Sequence, residues 1–303
     1  MRVGYISDDI YLKHDTGERH PESKKRLIAI KNELKNLENQ LVILSPIKAS
    51  IDILNLVHPH RYISYIQDCC KKNIEIDQDT ITSIESYEAA MTAVGAGVVA
   101  VDAIVHNTID RAFAAVRPPG HHASKQKAMG FCLFNNIAIT ARYAQAKGYQ
   151  KVFIVDFDVH HGNGTEDIFY DDASVFYFST HQDMSFPGTG STKDIGINEG
   201  EGFNVNYRLK YDSEDEDILR IYKEKLPPLV QKFNPDIILV SAGYDIHERD
   251  RLGGLNITTQ GIKELIHEIL LLKDVPYIFM LEGGYHTDAL AKSVRVTIEE
   301  MLL

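Results

Sequence analysis

Apolar and polar positions follow two rhythms along this chain. Short continuous runs of β-branched, aliphatic and aromatic residues, such as Lys151-Val152-Phe153-Ile154-Val155, have the composition of strands buried on both faces. Between them lie longer stretches with a helical period. The alternation predicts βα units and a mostly parallel sheet. A first strand is expected within Met1–Ile6. A helix is expected over Ser86–Val105, with Ser86 as its cap and Ala89, Ala93, Gly97 and Ala100 as a stripe of small residues for close packing. Further helices are expected over Ile137–Lys147, stopped by Gly148, over Asp212–Phe233, over Thr259–Lys273 and over Asp288–Leu303. The third opens on a capping box, Ser213-x-x-Glu216, and its acidic first turn matches the helix dipole. No repeat, low-complexity segment or long linker interrupts the pattern, so residues 1–303 are read as a single domain.

Four of the apolar runs end abruptly in residues suited to metal binding or proton transfer. Ala112–Val116 leads into Arg117-Pro118-Pro119-Gly120-His121-His122, and Lys151–Val155 into Asp156-Phe157-Asp158-Val159-His160-His161-Gly162-Asn163-Gly164. Ile237–Val240 leads into Ser241-Ala242-Gly243-Tyr244-Asp245, and Tyr277–Leu281 into Glu282-Gly283-Gly284-Tyr285. Ligands of parallel α/β sheets bind beyond the carboxyl ends of the strands, so four such clusters converge on one pocket.

Composition adds mainly exclusions. With 44% hydrophobic and 25% charged residues, the chain has the make-up of an ordinary globular protein. A net charge of −11 argues against a nucleic-acid groove and is compatible with cationic substrates. No membrane association is expected: the longest apolar stretch, Ala89–Val105, is broken by Gly95, Gly97 and Asp102 and reads as too short to span. No apolar signal region follows the first strand, and a cytoplasmic location is the default expectation. Cys69, Cys70 and Cys132 make neither a disulfide framework nor a cysteine-type zinc site and read as buried thiols.

Asp158, His160 and Asp245 form a set of one histidine and two carboxylates on strand-end loops. Asp158 and His160 are two residues apart, so in extended chain they point to the same side and can grip one ion. Three protein ligands with an open fourth position describe a catalytic zinc site. The paired His121 and His122 follow a rigid Pro-Pro-Gly turn. Imidazoles beside a metal suit proton transfer at neutral pH, with further metal ligation as the alternative. Asp156 favours the former, because it can accept an imidazole N–H and fix the tautomer. Tyr285, after two glycines, can bring its hydroxyl to a carbonyl oxygen.

These segments, together with Gly17-Glu18-Arg19-His20-Pro21-Glu22, Gly130-Phe131-Cys132, Asn135-Asn136 and Phe186-Pro-Gly-Thr-Gly190, resemble the zinc-dependent histone deacetylase family over essentially the whole chain. That family includes acetylpolyamine amidohydrolases and acetoin-utilisation proteins of bacteria and archaea. The resemblance implies the arginase/deacetylase fold, an α/β domain with a central, mostly parallel sheet of about eight strands flanked by helices. It implies one zinc ion on Asp158, His160 and Asp245, His121 paired with Asp156, His122 as general base, and Tyr285 polarising the substrate carbonyl. Phe131 and Phe186 resemble the aromatic walls of an acyl-lysine tunnel beside Gly130, and Asp79 resembles a rim aspartate that clamps substrate backbone. A structural potassium ion is implied on Asp156, Asp158, His160, Ser179 and Thr180, and a second on Phe169, Asp172, Val175 and Phe203.

The chain departs from parts of the family. Asn163 stands where the nuclear branch carries an aspartate, so His122 lacks a charged partner and its pKa is expected to be less elevated. Glu282 and Asn163 both match the other branch. Leu252 occupies the position at which polyamine-selective animal relatives carry a gatekeeper glutamate. The expected function is therefore zinc-dependent removal of acetyl or related acyl groups from acyl-lysine peptides or proteins, with acetylated polyamines as the alternative substrates. Two remoter readings are a dimanganese ureohydrolase, which needs a carboxylate where Gly162 stands, and a non-catalytic acyl-group binder, which would have lost Tyr285 or a ligand. Whether the chain is a monomer or a homo-oligomer is left open.

Overall fold

The computed structural model describes residues 1–303. Eight strands, β1 (Val3–Ile6), β2 (Leu41–Leu44), β3 (Arg111–Ala114), β4 (Val152–Asp156), β5 (Val175–Gln182), β6 (Asn204–Leu209), β7 (Ile237–Ala242) and β8 (Tyr277–Leu281), form one sheet in the order β2-β1-β3-β8-β7-β4-β5-β6. Every neighbouring pair is parallel. The runs β4, β7 and β8 are buried along their whole length, as strands covered by helices on both faces must be. A 65-residue apolar cluster surrounds them. The four runs singled out by their endings are the four adjacent strands β3-β8-β7-β4 at the centre of the sheet. Their carboxyl ends therefore share one patch of the molecular surface.

Ten helices complete the chain: α1 (Lys25–Leu34), α2 (Ile51–Leu54), α3 (His60–Lys72), α4 (Ser86–Val105), α5 (Asn136–Ala146), α6 (Asn163–Phe169), α7 (Asp215–Glu224), α8 (Leu226–Phe233), α9 (Thr259–Leu270) and α10 (Thr287–Leu302). Four expectations need correction. Ser86 is the first residue of α4 but does not cap it. Its hydroxyl turns inward, 2.6 Å from Nδ1 of the buried His14, and accepts the Ser83 N–H. The expected Asp212–Phe233 helix is two helices, because Pro227 and Pro228 lack the N–H groups that would continue the ladder and so begin α8. Its capping box lies one residue later, between Glu214 and Asp217, since Ser213 closes a turn back to the Lys210 carbonyl.

The fourth correction concerns α4, which at 20 residues and a mean hydropathy of 1.7 is long and apolar enough to cross a membrane. Gly95, Gly97 and Asp102 do not break it. Most of the helix is buried inside the protein, and a Cβ at Gly97 would come within 1.9 Å of Thr140 Oγ1 on α5. The glycines serve close helix packing. The three cysteines are free and buried, Cys69 and Cys70 in α3.

Candidate active site

Each central strand delivers one part of the site. Asp158 and His160 follow β4, Asp245 follows β7, His121 and His122 follow β3, and Tyr285 follows β8. The ligand atoms of Asp158, His160 and Asp245 lie within 4.8 Å of one another. Gly283 makes this approach possible, since a Cβ there would come within 2.1 Å of Asp245 Oδ2.

The carboxylates are oriented from behind. Asp158 accepts the backbone N–H groups of His160 on one oxygen and of Gly283 on the other, at 2.9 and 2.8 Å. Asp245 Oδ1 accepts the Val159 N–H at 3.1 Å, whereas its Oδ2 is buried without a hydrogen bond. Burial pulls the His160 imidazole down, but pairing of its Nδ1 with the Asp158 and Asp245 carboxylates, 3.2 Å from each, outweighs it and raises it to about 10. Two buried carboxylates here select for positive charge. One imidazole nitrogen and two carboxylates, one of whose buried oxygens makes no hydrogen bond, fit a zinc-type cation.

The two adjacent histidines lie in opposite electrostatic environments. His121 donates to Asp156 Oδ2 at 3.0 Å through Nδ1. Burial lowers its pKa, but Asp158, Asp156 and Glu282 override this and raise it to about 10, so the ring is held as a cation. His122 faces the amide of Asn163, 2.8 Å from Nδ1 to Oδ1. Burial, then the charges of His121 and His160, push it well below 6.5, so it stays neutral. A carbonyl oxygen at Asn163 makes Nδ1 the protonated nitrogen and leaves Nε2 as the acceptor.

A cavity of about 340 Å³ opens beside these groups, lined by His122, His160 and Tyr285 within and by Phe131, Phe186, Leu252, Gly130 and Asp79 outwards, with His20, Pro21 and Ser185. All the expected wall and rim residues thus meet on one channel. Phe186 meets the His122 ring edge-to-face at 5.1 Å, and Phe131 meets Tyr285 at 5.7 Å. Gly130 has φ +56, and a Cβ there would come within 2.4 Å of the His122 ring, so the wall must be bare at that point. Burial, with the charges of Asp245 and Asp158, pushes the Tyr285 hydroxyl well above 10 and keeps it protonated, a hydrogen-bond donor.

Asp156 spends its oxygens on the Asp158 N–H, His121 and the Tyr177 hydroxyl. It pairs in register with Ser179 on β5; the Ser179 hydroxyl meets His181 and the next hydroxyl, Thr180, meets Tyr222. The looser set lies around the turn into β5. There Asp172 pairs with Arg142 at 2.6 Å, Val175 opens the strand, and the carbonyls of Phe169 and Phe203 accept the N–H groups of Asp172 and Tyr177. At Gly162 a Cβ would come within 2.2 Å of Asp156 Oδ2 and 3.0 Å of His121 Nδ1. The space a second carboxylate would need is filled.

Several supporting residues carried no assigned role in the sequence. Glu282 is buried at the end of β8 and accepts the N–H groups of Gly120 and His121, fixing the histidine loop. Arg117 and Arg26 both bind Glu22, and Arg26 also donates to the carbonyls of Glu282 and Gly284. Asp250 accepts the N–H of Tyr285. Charged residues inside apolar-flanked motifs were the available signal, because burying a charge requires partners.

The histone deacetylase domain matches residues 20–301. The chain belongs to the histone deacetylase family. It is 34% identical over 296 residues to a probable deacetylase of Archaeoglobus fulgidus, covering 95% of this chain and 82% of that one. It is 39% identical over 310 residues to histone deacetylase 14, chloroplastic, of Arabidopsis thaliana, covering 94% and 73%. The crystal structure of the HDA15 HD domain superposes with a TM-score of 0.95 at 32% identity, covering 99% of this chain and 89% of that one. The sheet is that of the arginase/deacetylase fold, and the family places the chain among hydrolases that act on acetylated substrates.

Proposed function

We propose that this chain is a zinc-dependent deacylase of acyl-lysine side chains. The observation that supports it best is the channel itself: phenyl walls at Phe131 and Phe186 lead to His122, Tyr285 and the Asp158/His160/Asp245 set. Apolar walls suit the methylene stem of lysine, which buries well while its polar end travels on to the site. Asp158, His160 and Asp245 would hold one zinc ion, which when bound supplies Lewis-acid polarisation and acidifies a water.

The chain's own residues do the rest. Neutral His122, with Nε2 as acceptor, takes a proton as water adds to the acyl carbon. Protonated Tyr285 donates to the carbonyl oxygen as charge grows there. As the C–N bond breaks, the proton held by His122 passes to the leaving amine. His121 lies beneath, bonded to Asp156 and close to Asp158, and its charge lowers the basicity of His122.

A second reading, acetylpolyamine hydrolysis, is favoured by one feature. The Asp79 carboxylate is exposed at the mouth and would attract a second substrate ammonium. Against it, Leu252 brings an apolar group to the same rim. Turnover of acetyl-lysine peptides measured beside acetylated putrescine, cadaverine and spermidine separates the two. Lysine peptides are expected to be hydrolysed at least as well. A polyamine kcat/KM tenfold above that of every peptide would reverse the assignment.

A further inference from the structure

Tyr285 reaches the cavity on a segment that its own side chain does little to hold. The hydroxyl makes no hydrogen bond within the protein. The ring lies beneath the Arg26 guanidinium, 5.0 Å from the centroid, and meets Phe131 edge-to-face. The preceding Gly284 has φ +110, a sharp reversal that sends the chain from β8 towards α10. With no hydrogen bond to the hydroxyl, the direction of the ring depends on what fixes the backbone at 285 and 286.

That anchor is one carboxylate from another loop. Asp250 Oδ2 accepts the N–H of Tyr285 at 2.5 Å and the N–H of His286 at 2.9 Å, and Oδ1 accepts the N–H of Leu252 at 3.1 Å. The aspartate is buried, does not line the cavity and is not among the grouped metal-type ligands. Charge-assisted bonds of this kind are about twice as strong as neutral ones, and His286 is the N-cap of α10, where a negative charge is favoured. Arg249 adds an outer tie, with Nη1 2.6 Å from Asp288 Oδ2. The Leu252 rim and the Tyr285 segment are thus tied to one carboxylate.

We propose that Asp250 is a positioning residue for the reaction: its carboxylate sets the Tyr285 hydroxyl at the acyl carbonyl and locks that placement to the Leu252 rim. The inference rests on the role given to Tyr285 above. An amide at 250 offers one acceptor oxygen and turns an N–H₂ towards backbone donors, so Asp250→Asn loses one half of the clamp and sets donors against each other. Misplacement of a reacting group by about 1 Å costs on the order of 10²-fold in rate.

The test is a double-variant cycle on the zinc-loaded full chain with Asp250→Asn, Tyr285→Phe and both together, reading kcat, KM and zinc content. Asp250→Asn alone is expected to lower kcat by about 10–100-fold with KM changed by less than about threefold. Combined with Tyr285→Phe it should add less than about twofold, because a misplaced ring without its hydroxyl has nothing further to lose. Losses that multiply in the double variant, or an unchanged kcat in Asp250→Asn, would overturn the proposal. If Asp250→Asn does not fold, Asp250→Glu, which keeps the charge and shifts it by one methylene, is read in the same cycle by the same criterion. Tyr285→Phe with near-full turnover would instead remove the Tyr285 role itself, a separate outcome.

Discussion

Two clusters of buried charge lie side by side at the carboxyl ends of the strands, and they are resolved differently. In the first, both oxygens of Glu22 face guanidinium groups: Oε1 accepts from Arg117 Nε and Arg26 Nη1 at 2.5 and 3.1 Å, and Oε2 from Arg117 Nη2 at 2.7 Å. The remaining arginine donors reach the carbonyls of Tyr11, His14, Glu282 and Gly284. In the second cluster, two carboxylates share one imidazole and Asp245 Oδ2 has no hydrogen bond. The first cluster is complete within the chain; the second calls for a cation from outside. Buried charge in a fold is thus informative according to whether its acceptors are all taken.

Breaking the closed cluster should have the largest effect on the fold. Glu22→Gln is expected to cost about 3–5 kcal/mol of stability, since it leaves two guanidinium groups without their counter-charge. Thermal unfolding measures this, and any protein that remains folded should keep its zinc content. Burial alone would push the Glu22 carboxyl up; Arg117, by charge and hydrogen bond, holds it well below the ordinary 4.5. Its contribution is therefore fully present above about pH 4.5 and is lost as the pH falls through the lower folded value. The gap between wild type and Glu22→Gln should stay constant at neutral pH and narrow in acid. A gap independent of pH would contradict the ionised pair.

On the open side, Tyr285→Phe should leave stability and zinc intact and lower turnover by about 10²–10³-fold, about 2.7–4 kcal/mol in the barrier. Steady-state kinetics on an acetyl-lysine peptide reads it, and retention of more than half the wild-type rate would reject the donor role. The smallest effect is expected at the rim. Leu252→Glu should move the ratio of kcat/KM towards acetylpolyamines by about tenfold, about 1.4 kcal/mol, the worth of one partly solvated charge pair. An unchanged ratio would place substrate choice elsewhere.

The difference between the clusters also explains what was legible in the sequence. The open cluster consists of residues that punctuate apolar runs, so Asp158, His160, Asp245, His121, His122 and Tyr285 stand out by type and place. The sheet was readable for the same reason, because β4, β7 and β8 are uninterrupted apolar runs. The closed cluster is assembled from residues as far apart as Glu22, Arg117 and Gly284; the charged ones stand inside motifs, but no local pattern tells which of them pair. Asp250 sits five residues after Asp245 but acts on backbone N–H groups of another loop, a contact that only the folded chain creates. Helix ends were the least legible. Ser86 has the right type for a cap and spends its hydroxyl on His14, while the start of α7 was set by a turn ending at Ser213.

The open cluster, on the function proposed here, takes one cation on Asp158, His160 and Asp245. Elemental analysis of the purified protein after stripping and zinc reloading, run beside Asp245→Ala, tests it most directly. One zinc per wild-type chain and none retained by the folded variant is the result expected from three ligands of which one is lost. Two metals per chain, or zinc unchanged in Asp245→Ala, would contradict it.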